Sequence, residues 1–177
     1  MERPRSQNLT YTRGKTFMKK LALTLLQTSG SVVPLILRIA LAAVMFPHGA
    51  QKALGWFGGP GFALFMATFT DKMHIPAPLA FLVVLTEFLG PIALFFGLLT
   101  RIAAFAIGFD MLIAAILVHI HFGFFMNWAG KQKGEGLEYD LLLWAIALAL
   151  ILQGAGAFSL DRMISTRFKT PGSKKLR

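Results

Sequence analysis

Apolar residues fall into four long runs, each carrying no more than two Asp, Glu, Lys or Arg positions. Val32–Ala50 reads VVPLILRIALAAVMFPHGA and Pro78–Leu99 reads PLAFLVVLTEFLGPIALFFGLL. Ile102–His121 reads IAAFAIGFDMLIAAILVHIH, and Glu138–Phe158 reads EYDLLLWAIALALILQGAGAF. About 20 residues at ~1.5 Å rise cross the roughly 30 Å hydrocarbon core of a bilayer. None of the runs carries a full polar face, so none reads as a water-exposed amphipathic helix. The pattern predicts an all-α fold: a polytopic membrane four-helix bundle occupying 32–158.

The connection after the first run is not a plain loop. In GFALFMATFTDK (Gly61–Lys72), Phe62, Phe65, Met66 and Phe69 recur at helical spacing. Twelve residues cannot span, so a short interfacial helix is predicted between spans one and two. Gly58-Gly59-Pro60-Gly61 makes the turn into it, and Pro76 and Pro78 reset the direction into span two.

Charge fixes the expected orientation. The net charge is +10, and residues 1–31 and 159–177 together hold twelve cations against two anions. Between them, six cations meet six anions. Basic segments flanking a neutral apolar body follow the positive-inside rule, so both termini are expected in the cytoplasm of a bacterial cell with an inner membrane. Aromatic residues do not interleave with the basic ones, which argues against nucleic acid as a partner. The bilayer is the expected partner, with another membrane or redox subunit as the protein candidate. Met18 opens MKKLALTLLQTSG, a second candidate start. Its apolar stretch Leu21–Leu26 is shorter than the roughly 7–15 residues of a cleavable signal, so 1–31 reads as a basic arm. The chain has no cysteine, which removes thiolate ligation and thiol redox chemistry.

The informative residues are the ionisable ones inside apolar runs. Each costs at least ~2.5–3.5 kcal/mol near the bilayer centre, so it needs a partner or a purpose. Arg38, His48 and Lys52 share one face of span one, since His48 and Arg38 each lie ~40° from Lys52 on an ideal helix. Asp110 and His121 share a face of span three, ~20° apart, whereas His119 projects to nearly the opposite side. Glu87 sits too deep in span two to snorkel. The expected site is a polar intramembrane pocket of Arg38, His48, Lys52, Glu87, Asp110, His121 and Glu138, open to the outer side. Its charges balance as Arg38 and Lys52 against Glu87 and Asp110. Interhelical pairing that merely fixes packing is the competing reading. His119 and Asp140 read as interfacial, and His74 as solvated. Haem between His48 and His121, or a metal on His48, His121 and Glu138, has suitable ligand types but rests on too few residues among carboxylates. Gly90-Pro91, one turn from Glu87, predicts a kink that widens a cavity there.

These short motifs occur in an order that resembles the DoxX (DoxD-like) family. The matching stretches are Arg38 in the first run, HGAQKALGWFGGPG with His48 and Lys52, TEFLGPIALFFGLLTRIAA with Glu87, GEGLEYDLLL with Glu138, and GAGAFSLDRM. Family members often end the last span Gly-Pro-Gly; here Ala155 replaces the proline. The resemblance implies a four-helix plasma-membrane protein and a link to thiosulfate:quinone oxidoreductase chemistry. The leading expectation is therefore an oxidoreductase subunit handling a quinone or small substrate. A non-enzymatic scaffold or assembly protein is the alternative, and a small transporter ranks third.

Overall fold

The computed structural model describes Met18 and residues 20–168. The arm expected over 1–17 and the tail beyond 168 lie outside the described residues. Among the described residues the fold is all-helical. A short helical stretch covers 20–26. The principal helices are α1 (Val33–Leu54), α2 (Gly61–Ala67), α3 (Ala77–Phe96), α4 (Thr100–Leu117), α5 (Glu138–Gln153) and α6 (Leu160–Phe168).

Each helix stops where backbone chemistry requires it. α1 runs past Ala50, through Lys52, until Gly55 adopts φ 73° and returns its N–H to the Ala50 carbonyl. α3 ends at Gly97, φ 63°, whose N–H reaches Ala93 and Leu94. The end of α4 departs from the expected span: the helix stops at Leu117, Val118 takes φ −126° and ψ −62°, and a 3₁₀ turn carries His119–Phe122. α5 stops at Gln153 because Gly154 and Gly156 both take positive φ.

Three helices, α1, α3 and α4, are long and apolar enough to cross a membrane. The fourth expected span is shorter as a helix. α5 has 16 residues, about 24 Å at ~1.5 Å each, and the rest of the apolar run continues as irregular chain. α1 packs against α3 and α5, and α4 packs against the same two helices. Leu41, Met45, Leu94, Ala104, Ile107, Leu143 and Leu150 are buried where they meet.

The surface is inverted relative to a water-soluble protein. Phe81, Leu82, Phe105, Phe109, Leu142 and Leu148 are exposed, while Arg38, Glu87, Asp140 and Asp161 are buried. In water that arrangement would expose large apolar patches and desolvate charges together. Surrounded by hydrocarbon it is the favourable arrangement, which fits the three apolar spans.

Helix ends are tied by buried charges. Arg38 donates to the carbonyls of Leu94 (2.9 Å) and Phe95 at the end of α3. It also donates to Ala155 (3.1 Å), Ala157 (3.3 Å) and Phe158 (2.6 Å) after α5. These carbonyls lie at or beyond helix C-termini, where the ladder leaves acceptors over; Leu94 also accepts from the Gly97 N–H (3.0 Å), and a cation suits the negative end of the helix dipole. Arg101 does the same for Ile151 and Leu152 of α5 and for Gln27 (3.1 Å). Asp161, 1% exposed, caps the start of α4 from afar, accepting from the N–H of Leu99 (2.7 Å) and of Thr100 (2.9 Å). The basic segment 159–177 thus begins inside the packing, with Ser159, Asp161 and Ser165 all buried.

Candidate functional site

The site begins with a glycine. Gly49 sits so close to α3 that an added Cβ would stand 2.0 Å from the Glu87 carbonyl oxygen and 2.6 Å from the Phe88 Cα. Only a residue without Cβ permits that approach. On the α3 side, Pro91 has no N–H to offer the same Glu87 carbonyl four residues back. The contact brings the second half of α1 onto the middle of α3. His48 and Lys52 therefore flank Glu87.

Lys52 Nζ donates to both carboxylate oxygens of Glu87. Glu87 is 4% exposed, and the Phe65 ring of α2 lies 5.6 Å from the Lys52 nitrogen. A buried carboxylate is thus matched by one ammonium beneath an aromatic face. α2, stapled by Phe65 stacking on Phe69 at 4.1 Å, closes over the pair. Asp110 of α4 lies beside Glu87, and its Oδ2 is buried with no hydrogen-bond partner among the described residues.

A second polar pair faces the first. His119 Nδ1 is 2.6 Å from Asp140 Oδ2, and Asp140 is 1% exposed. Asp140 Oδ1 has no partner among the described residues. Both pairs line one cavity of about 400 Å³, which His48 and Tyr139 also border. Met45, Met111 and Ala114 supply apolar wall.

The expected site residues divide. His48, Lys52 and Glu87 line this cavity, and Asp110 adjoins it. Arg38 does not. It shares their helix face but sits about 21 Å further along α1, counting 14 residues at ~1.5 Å each. Carbonyls and Asp161, not Glu87 or Asp110, offset its charge. His121 is exposed and outside the lining, while His119 is in it. The ideal-helix projection failed there because α4 ends before either histidine. Glu138 instead holds the loop before α5: its Oε2 accepts from the Met126 N–H (3.1 Å) and Trp128 Nε1 (3.4 Å). Asp140, read as interfacial from sequence, is the buried carboxylate of the second pair. The available signal was His119 and Asp140 flanking a glycine-rich connection at the same end of adjacent apolar runs. Among the described residues no three His, Asp or Glu side chains are grouped to hold a metal.

A larger groove of about 610 Å³ lies at the Arg38 end, under α6. Its walls are Leu35, Ile39, Phe95, Phe96 and Phe158, and its buried cation is already committed to five carbonyls. The smaller cavity is lined by Asp140, whose Oδ1 is buried without a partner among the described residues.

Comparison with known proteins places this geometry in a family. The DoxX family model matches residues 33–120, a range containing Gly49, Lys52, Glu87 and His119. Inner membrane protein YqjF of Escherichia coli is 31% identical over 135 residues, 76% of this chain and 93% of that protein. A Haemophilus influenzae protein is 32% identical over 148 residues, 82% of this chain and 92% of that one. A Bacillus subtilis relative, named "Putative oxidoreductase CatD", is 27% identical over 130 residues, 73% of this chain and 85% of that one. No solved structure matches. With the match spanning the α1–α3 contact and one residue of the second pair, and with relatives aligned over most of their length, the chain belongs to the DoxX family.

Proposed function

We propose that this protein is a four-span subunit of a membrane oxidoreductase in the bacterial inner membrane, whose cavity takes a quinone headgroup or a small substrate. The carrying observation is that Lys52–Glu87 and His119–Asp140 line the same cavity among apolar walls. Such a site has a cation to stabilise a developing negative oxygen and a carboxylate-oriented imidazole to take or give a proton. The cavity volume of about 400 Å³ lies in the range of small-molecule pockets. The printed name of the Bacillus subtilis relative supports the oxidoreductase reading, and that of the Escherichia coli relative supports the location.

In this reading α5 and the irregular chain to Phe158 complete the fourth crossing. The basic arm, Arg101 and the basic tail then share the cytoplasmic side. Residues 32–158 form the membrane domain, and α2 lies in the outer interface across the mouth of the cavity. Exposed Trp56 and Trp128 at that end suit an interfacial belt.

The test is direct binding. Purified protein in nanodiscs is titrated with ubiquinone and menaquinone analogues in both redox states, following tryptophan fluorescence. Saturable one-site binding, lost when Lys52→Met and Glu87→Leu are combined, supports the proposal. No saturable binding by either headgroup in either state overturns it in favour of a scaffold.

A further inference from the structure

The cavity's fixed hydrogen-bonding groups are mostly acceptors. His119 Nδ1 and Asp140 Oδ2 share a hydrogen at 2.6 Å, and with Asp140 ionised, and so acceptor-only, that hydrogen is carried by Nδ1. In the neutral ring that leaves Nε2 as an acceptor. Asp140 Oδ1 is a second acceptor, fully buried and without a partner among the described residues. A buried carboxylate oxygen left so is costly, and a ligand that supplies a donor removes the cost. The strongest donor is mostly committed, two of the three Lys52 N–H groups going to Glu87. Both Glu87 oxygens accept from the Lys52 ammonium, and the Phe65 ring covers it. Tyr139 and His48 adapt to either role, so the second pair decides.

We infer that the cavity selects a ligand bringing its own O–H or N–H donors. Resting on the quinone reading above, this means the reduced quinol is bound in preference to the oxidised quinone. A quinol presents two phenolic O–H groups where a quinone presents two carbonyl acceptors. One hydroxyl donates to His119 Nε2 or Asp140 Oδ1; a carbonyl in the same place would meet an acceptor with an acceptor. The selection is one of binding, and the O–H bond stays intact. A site built around a hydroxyl discriminates strongly against the analogue lacking it, because its buried polar groups are then left unpaired.

The same logic fixes the effect of one near-isosteric change. In Asp140→Asn the amide oxygen still accepts from His119 Nδ1. The amide NH₂ then stands where the unpartnered oxygen was, and an acceptor becomes a donor.

The experiment compares durohydroquinone with duroquinone, under argon, on the full-length protein in nanodiscs. Wild type is expected to bind the hydroquinone about ten- to hundred-fold more tightly, the range of one hydrogen bond to a charged group. Asp140→Asn is expected to lose or reverse that preference. Equal binding of both forms by wild type, or tighter binding of duroquinone, overturns the inference and leaves the quinone reading standing. Binding of neither form overturns both. The wild-type comparison decides even where the variant does not fold.

Discussion

Gly49 and Glu87 are in backbone contact, α1 against α3, with no room at position 49 for a single added carbon. Everything at the Lys52 end depends on that approach. Gly49→Ala must push the two helices apart, because the obstacle is backbone and not a movable side-chain tip. Overpacking of this kind costs about 1–3 kcal/mol. We expect a lower unfolding temperature in detergent together with loss of the Lys52–Glu87 contact. Cross-linking yield between cysteines introduced on the two helices reads the separation; an unchanged yield and midpoint would refute the role given to Gly49.

The Lys52–Glu87 pair should behave as a buried ion pair. Lys52→Met alone leaves a desolvated carboxylate and is expected to cost about 3 kcal/mol. Adding Glu87→Leu is expected to recover most of that stability, since a well-packed apolar pair replaces a buried ionic one at little cost. Ligand binding should not return with it. Thermal unfolding of the two single variants and the double variant measures the coupling. Additive effects would mean that the two side chains do not interact.

Arg38 has a different task. Replacing it by Met removes one donor from each of five carbonyls at and beyond the ends of α3 and α5, of which Leu94 keeps the Gly97 N–H. Each buried acceptor left unsatisfied costs about 1–3 kcal/mol, so folded yield in the membrane should fall steeply. Arg38→Lys should rescue little, because one ammonium cannot reproduce the planar five-donor fork. Limited proteolysis of membrane fractions reports the outcome. Full yield of Arg38→Met with ligand binding alone lost would instead return Arg38 to the binding site.

The two histidines should separate cleanly. His121→Ala, at an exposed position outside the cavity, should leave ligand affinity within about two-fold. His119→Ala removes the partner of buried Asp140 and should weaken binding by at least about ten-fold. The reverse pattern would restore the assignment made by projecting an ideal helix.

Asp161 gives a stability prediction remote from the cavity. Asp161→Ala removes the acceptor for two N–H groups at the start of α4, a change expected to cost about 1–2 kcal/mol. Asp161→Asn, keeping one acceptor oxygen, should cost less. Unfolding midpoints of the two variants provide the comparison, and equal losses would show that the carboxylate's second contact is idle.

The all-helical fold and three of the spans were legible because apolar run length is a strong signal in a membrane protein. His48, Lys52 and Glu87 were legible because ionisable groups inside those runs need partners, and shared faces narrow the choice. Position along the axis carried as much information as angle. Arg38 lies on Lys52's side of α1 but serves a different end of the protein. The second pair was hidden by an irregular end: α4 stops at Leu117, and a one-turn 3₁₀ segment exchanges the positions of His119 and His121 relative to the projection. Glu138 and Asp140, two residues apart, could not be told apart without the fold of the 123–137 loop that Glu138 fastens. The length of α5 was set by Gly154 and Gly156, whose apolar surroundings read as a longer helix.

The central claim is that one cavity, walled by Lys52–Glu87 and His119–Asp140, receives the ligand. Photoaffinity labelling with an azido-quinone, in proteoliposomes and with adducts mapped by mass spectrometry, tests it most directly. We predict adducts within 45–52 and 119–140 that are suppressed by excess unlabelled quinol. Adducts confined to the groove at Phe95, Phe96 and Phe158, or labelling that unlabelled ligand does not suppress, would contradict the account.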